Sequence, residues 1–402
     1  MPSTLPEADP APPGGELPRT ALAGLGAVPF GVYVHVPFCA TRCGYCDFNT
    51  YTAGELGDAT APAAWLDGLR RELDLAARVL GDAPPADTVF VGGGTPSLLG
   101  ADGLAAVLDA VRGAFGLADD AEVTAESNPE STSPAFFAGI RAAGYTRVSL
   151  GMQSAARHVL AVLDRTHTPG RAADAAAEAR AAGFAHVNLD LIYGTPGERA
   201  ADLAESLDVV LDSGVDHVSA YALIVEDGTA LARRIRRGEL AAPDDDVLAE
   251  RYEQLDSVLT AAGLHWYEVS NWASDAAARC RHNLGYWLGG DWWGAGPGAH
   301  SHVGGVRWWN VKHPARYAAL LAEGRSPAAG RETLSAADRR VERILLELRL
   351  ADGLPLDVLA SSGPAEALVA DGLLEAGALA GGRCVLTDRG RLLADAVVRR
   401  LA

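Results

Sequence analysis

The chain has 402 residues, 49% hydrophobic and 21% charged, which is enough apolar material for a large core and two or three domains. Its formal net charge is −18 and its pI is near 4.9. That balance excludes a phosphate-backbone binder, so no nucleic-acid partner is expected. No apolar run approaches the ~18 residues that span a bilayer. Met1 to Gly15 lacks the basic and apolar parts of a signal peptide. Five cysteines without a paired framework fit a reducing compartment, so a cytoplasmic location is expected.

Residues 1–28 are rich in Pro, Ala and Gly and read as a disordered tail. From Phe30 onward, strand and helix patterns alternate. Strands are expected at Val32–Val36, Thr88–Val91, Glu122–Ala125, Arg147–Leu150, His186–Ile192 and Val215–Leu223. Helices are expected between them, as at Ala63–Leu80, where Leu66, Leu69, Leu73 and Leu80 form one stripe. Six successive βα units over residues 29–243 predict an α/β fold, a parallel sheet curled into a partial (β/α)6 TIM-like barrel. Right-handed crossovers then put all strand C-termini on one face, the active face of such barrels.

Residues 244–330 change character and read as an α+β extension. Seven of the eight tryptophans lie between Trp266 and Trp309. Residues 331–402 read as a small winged-helix-like domain, with helices at Arg339–Leu350, Ala365–Asp371 and Arg389–Leu401. Leu373–Glu375 and Cys384–Thr387 are the expected wing strands. Ten basic and eleven acidic residues from Arg331 onward argue against DNA reading by this domain.

Cys39, Cys43 and Cys46 follow the first strand within eight residues. Structural zinc takes four ligands, usually as two separated pairs, and Cys280 and Cys384 are isolated. Three closely spaced thiolates instead suit a four-iron cluster with one iron left open. Gly92-Gly93-Gly94-Thr95-Pro96 follows the second strand, where glycines let backbone approach a ligand closely. Glu126, Gln153, Arg165 and Asp190 stand at or beyond strand ends, and Arg165 is a suitable carboxylate partner. His282-Asn283-Leu284-Gly285-Tyr286-Trp287 combines a potential haem-iron ligand with flat aromatics. The plain alternative is a satisfied, packed histidine; His300 and His302 are nearby alternatives as ligands.

The CxxxCxxC spacing, the Gly92–Pro96 loop, Glu126-Ser127-Asn128-Pro129, Gly151-Met152-Gln153-Ser154 and Asp190-Leu191-Ile192-Tyr193-Gly194 together resemble the coproporphyrinogen III dehydrogenase-like branch of radical S-adenosylmethionine (SAM) proteins. The resemblance runs from about Phe30 to the C-terminus. It implies a 4Fe–4S cluster on Cys39, Cys43 and Cys46. It also implies SAM contacts from Tyr33, Gly93, Gly94, Thr95, Glu126, Gln153, Arg165 and Asp190. Tyr45 and Ala222 match positions near a second SAM in the dehydrogenase. That dehydrogenase carries a further cysteine two places after the third, where this chain has Phe48. The chain is more similar to the branch's haem chaperones, which share the HNxxYW pattern of His282, Asn283, Tyr286 and Trp287. This implies haem as a further ligand and transfer of haem to acceptors such as respiratory haem enzymes. Peripheral association with membrane-bound acceptors is part of the same expectation. Coproporphyrinogen III oxidation in porphyrin biosynthesis is the alternative, with no such activity expected here.

Overall fold

The computed structural model describes residues 8–56 and 62–402. One twelve-stranded sheet organises it. Its strands are β1 (Phe30–Val36), β2 (Ala86–Gly93), β3 (Leu117–Ser127), β4 (Arg147–Gln153), β5 (His186–Tyr193), β6 (His217–Ala222), β7 (His265–Glu268), β8 (Asn271–Ala273), β9 (Asp291–Ala295), β10 (His300–Val303), β11 (Val306–Asn310) and β12 (Ala328–Thr333). The order across the sheet is β12-β11-β10-β9-β1-β2-β3-β4-β5-β6-β8-β7. β1 to β6 are parallel neighbours, which is the expected (β/α)6 barrel.

Alternation along these strands sorts two faces. Val32, Val34 and Val36 of β1, Val89 and Val91 of β2, and Leu189 and Leu191 of β5 join the core under the helices. The helix Pro62–Leu80 answers with Trp65, Leu69, Leu73, Ala76 and Leu80, all buried. The opposite face is polar: Tyr33 and His35, Thr88, Glu122 and Glu126, Arg147 and Ser149, Asn188 and Asp190, His217 and Ser219. That face lines the inside of the barrel.

Several expectations need correction. The α+β extension continues the barrel sheet at both edges. β9 pairs in parallel with β1, and β10 to β12 continue the same sheet antiparallel beyond it. β8 and β7 extend the other edge from β6. The last strand runs through Arg331 to Thr333, so the boundary drawn at residue 331 cuts an element.

The expected disordered tail is in large part packed. Residues 1–7 lie outside the described residues. From Asp9 onward the segment pairs with Arg331, and Ser326 N–H donates to the Pro13 carbonyl at 2.7 Å. Ala21 is buried, and Leu17, Leu22 and Leu25 pack on the main core. Its prolines do not prevent this, because the leucines between them supply the apolar surface that offsets the cost of ordering.

Residues 336–401 form a small winged-helix-like unit around Ile344, Leu348, Leu354, Leu368, Leu374, Cys384, Val397 and Leu401. Its first helix, Ala336–Glu347, starts before the expected Arg339. Ser335 and Asp338 form a reciprocal capping box there. The last helix divides at Leu393. The wing pairs Leu354–Pro355 with Arg383–Cys384, and Leu374 with Leu386. Arg391 docks this unit on the extension. Its guanidinium reaches both oxygens of Asp256, at 3.1 and 2.6 Å, and lies 4.6 Å from the Trp266 ring centre.

Candidate functional site

The loop after β1 carries the three cysteines, and both its ends are held. Phe38–Cys39 pairs in parallel with Tyr51–Thr52. Thr95 N–H donates to the Phe38 carbonyl at 2.7 Å, and Leu231 N–H donates to the Gly44 carbonyl at 2.8 Å. Asn49, just beyond Cys46, donates to the Pro297 and Lys312 carbonyls at 2.9 and 2.8 Å. The Asn49 carbonyl meets His35 Nε2 at 2.9 Å, and His35 Nδ1 meets the Tyr33 hydroxyl at 3.0 Å. The sheet extension therefore braces the cysteine loop directly. All three cysteines are free and half-buried. Burial raises the Cys39 thiol and pushes Cys46 up to about 11. A bound cation reverses that logic and favours the thiolate. The Thr95 hydroxyl donates to Cys39 Sγ at 3.8 Å.

The triple glycine is required by space. A Cβ on Gly92 would stand 2.9 Å from Glu126 Oε2, and one on Gly93 would stand 2.6 Å from the His35 ring. Gly93 also has φ +111, a conformation that L side chains rarely adopt. A Cβ on Gly94 would collide with the Phe38 carbonyl oxygen.

The strand-end residues converge as expected. Glu126 Oε2 accepts from Gly93 N–H at 3.0 Å. Asp190 accepts from Ser149 at 3.2 and 3.1 Å and from Asn188 at 2.7 Å. Gln153 is buried and holds φ +69, a strained backbone for a residue other than glycine. Arg165 lies within electrostatic reach of Tyr45, Cys43 and Asp190, and its Nε is buried with no partner. Tyr45 packs with the cluster of Ile192, Leu223 and Leu231. Ala222, at the end of β6, is half-buried and packs on the main core. The donor set of three thiols, an orphaned guanidinium nitrogen and two buried carboxyls fits an iron–sulfur cluster and an amino-acid-bearing sulfonium.

Burial pushes Glu126 up to about 8, with the Asp190 charge adding to it, and burial pushes Asp190 up to about 6. Both groups bind their protons more tightly folded than unfolded. Their contribution to stability is complete below the ordinary carboxylate range and is lost as pH rises through about 6 and about 8. In the ligand-free protein, Glu126→Gln should therefore gain melting temperature relative to the parent between about pH 5 and pH 8. A difference that stays flat across parallel thermal melts would contradict this.

The HNxxYW segment, helix Arg281–Trp287, closes the opposite end of the barrel. Glu122, in the middle of β3, accepts from the N–H groups of Arg281 and His282 at 3.1 and 2.9 Å and so caps this helix. Arg147 pairs with Glu122 at 3.2 Å and donates to the Ala278 and Arg279 carbonyls. The motif's spacing is two interleaved i,i+4 pairs. His282 Nε2 meets the Tyr286 hydroxyl at 2.8 Å, while Nδ1 meets the Thr88 hydroxyl at 2.7 Å. Asn283 donates to Glu268 at 3.1 Å, and Trp287 hydrogen-bonds the same carboxyl.

Of the readings open for His282, the structure shows the satisfied, packed histidine. It is 3% exposed, both ring nitrogens are engaged, and it stacks on Phe90 at 5.3 Å. Tyr286 lies within electrostatic reach of Tyr33 and Glu126, so the motif helix forms the floor beneath these two residues.

Sequence reasoning missed Glu122, Arg147, His217, Glu268, His35 and Asn49. The available signal was polar residues at alternating strand positions, read as period-2 faces. His217 bridges Asn188 and the Tyr267 hydroxyl at 2.7 and 2.8 Å.

Residues 33–210 match the family model of the Radical SAM superfamily. Over 388 residues the chain is 65% identical to the haem chaperone HemW of Mycobacterium tuberculosis, spanning 96% of this chain and 97% of that protein. It is 34% identical over 355 residues to the haem chaperone HemW of Escherichia coli, spanning 87% and 90%. Coproporphyrinogen III oxidase (HemN) from Escherichia coli superposes with a TM-score of 0.81 over 95% of this chain and 92% of that one. At 23% identity, that likeness speaks for the fold alone.

Proposed function

The chain belongs to the haem chaperone HemW family of radical SAM proteins, and from that premise we propose that it binds haem alongside a SAM-coordinated 4Fe–4S cluster and hands the haem to acceptor proteins. The observation that carries the cluster part is the braced loop of three free cysteines beside the unpartnered Arg165 Nε. Cys39, Cys43 and Cys46 would hold the cluster as thiolates. Arg165 would receive the SAM carboxylate, and the Gly92–Thr95 backbone would meet its amino end. Tyr33, Tyr45, Glu126, Gln153 and Asp190 would contact the rest. When bound, the cluster supplies one-electron chemistry and an open iron for SAM. The protein's part is to orient that pair and to keep water from it.

The position of the dehydrogenase's additional cysteine is Phe48, 49% exposed, which leaves the loop three thiols and an apolar rim. Transfer to acceptors such as respiratory haem enzymes, at a membrane surface or away from it, follows from the chaperone reading. Among the described residues no helix is long and apolar enough to cross a membrane.

The test is one anaerobic preparation with reconstituted cluster. Haem titration should saturate at about one haem per chain, while coproporphyrinogen III should pass unchanged. Absence of saturable haem binding, or formation of protoporphyrinogen, would overturn the proposal.

A further inference from the structure

We infer that the haem iron is taken by His300, on an aromatic strip of the sheet extension, and not by His282. The inference rests on the haem-binding reading above and names the ligand within it.

The chain has ten histidines, and their ring nitrogens differ sharply. His35, His217 and His282 have both nitrogens hydrogen-bonded. His158 and His186 face Asp202 and Asp216. His302 uses Nδ1 on the Gly290 carbonyl at 2.8 Å, and its side chain is 11% exposed. Its register partners are Trp292 on one side and Arg307 on the other. Arg307 in turn pairs with Glu332 and Glu342, so the place beside His302 is filled.

His300 is different. Its ring makes no hydrogen bond among the described residues, though the residue is only half-exposed. It stacks on Trp309, 5.7 Å between centres and 27° between planes. Beside it on β9 is Gly294, which bears no side chain and has no room for one, because a Cβ there would collide with the His300 carbonyl oxygen. Burial pushes the imidazole down to about 4, so it keeps a lone pair at neutral pH.

The surroundings are flat and aromatic. Tyr286 meets Trp292 edge-on at 4.6 Å, Trp292 lies 5.2 Å from His302, and the Trp292 indole donates to the His300 carbonyl at 2.9 Å. Leu288, at the end of the motif helix, is exposed. The strip thus joins the HNxxYW helix to an unpaired, neutral imidazole. A planar apolar macrocycle carrying a metal suits such a surface, by apolar contact with the rings and by ligation of the His300 imidazole, which makes no hydrogen bond of its own there. In this arrangement His282 acts on haem only through Tyr286 and Trp292.

The experiment is haem titration of the full chain, read by the Soret band and by the spin state in electron paramagnetic resonance. His300→Ala and His300→Gln should each weaken binding at least ~10-fold and abolish the histidine-ligated spectrum, as loss of a metal ligand does. Added imidazole should restore that spectrum in His300→Ala. His302→Asn, whose amide can still donate to Gly290, should bind as the parent does. Circular dichroism and thermal melts establish that each variant is folded. Parent-like spectra in both His300 variants, or loss confined to His302→Asn or His282→Gln, would overturn the assignment. Failure of the unaltered protein to bind haem would instead overturn the chaperone reading.

Discussion

Gly94→Ala should give a folded chain that assembles less than about a tenth of the parent's cluster, the outcome expected when ~1–3 kcal/mol of overpacking falls on one loop. The added methyl would meet two backbone oxygens, colliding with that of Phe38 and standing 3.0 Å from that of Val36. Neither can swing aside as a side chain can. The same two carbonyls accept from Thr95 and Gly94 at 2.7 Å each. Relieving the clash therefore breaks the hydrogen bonds that place Phe38, and Cys39 is the next residue. The strain is directed at the first thiolate and at the Thr95 hydroxyl beside it. Iron and sulfide analysis after anaerobic reconstitution reads the outcome. Gly113→Ala is the matched control. Gly113 lies in the helix Gly100–Phe115, has open space at its Cβ, and should be neutral or stabilising by up to ~1 kcal/mol. Parent-like iron content in Gly94→Ala would show that the glycine is dispensable.

Glu122→Ala should cost about 3–5 kcal/mol in urea unfolding, the typical penalty for removing one partner of a buried ion pair. The pair is deeply enclosed, with side chains 2% exposed for Arg147 and 6% for Glu122. Glu122 also caps the motif helix through two backbone N–H groups. Its loss strands a guanidinium and uncaps a helix in one step. The double variant Glu122→Leu with Arg147→Met should recover part of the loss, because the stranded charge goes with it. It should not recover all of it, since the helix cap stays absent. A single variant within 1 kcal/mol of the parent would mean that water reaches this floor.

The barrel was legible because apolar spacing switches between helical and strand periods at short intervals from Phe30 to Leu223. The active face was legible because Cys39, Gly93, Glu126 and Gln153 each follow or end a strand. The tryptophan-rich strands were not. Gly294, Gly296 and Gly298 interrupt the alternation that would mark β9 and β10, and β9 finds its partner in β1, some 260 residues earlier. The HNxxYW pattern was legible, but the partners that decide its packing were not. Its i,i+4 pairing is local, but Thr88, Glu122 and Glu268, which make it structural, come from three other strands. The order in residues 9–28 depends likewise on Ser326 and Arg331, which no local composition reveals.

The two ends of the sheet share a property that bears on self-association. An open edge strand offers unpaired N–H and carbonyl groups to any other chain. On the outer edge, Asp9 exchanges both backbone hydrogen bonds with Arg331 of β12, each at 3.0 Å. On the far edge, Leu350 bridges Glu268 of β7, and Ala351 N–H donates to the Tyr267 carbonyl at 2.9 Å. Segments from opposite ends of the chain thus act as stoppers against strand addition. A version starting at residue 29 would lose one stopper and bare the tryptophan-bearing side of the sheet to its neighbours. The segment that composition marks as expendable is the one that occupies this edge.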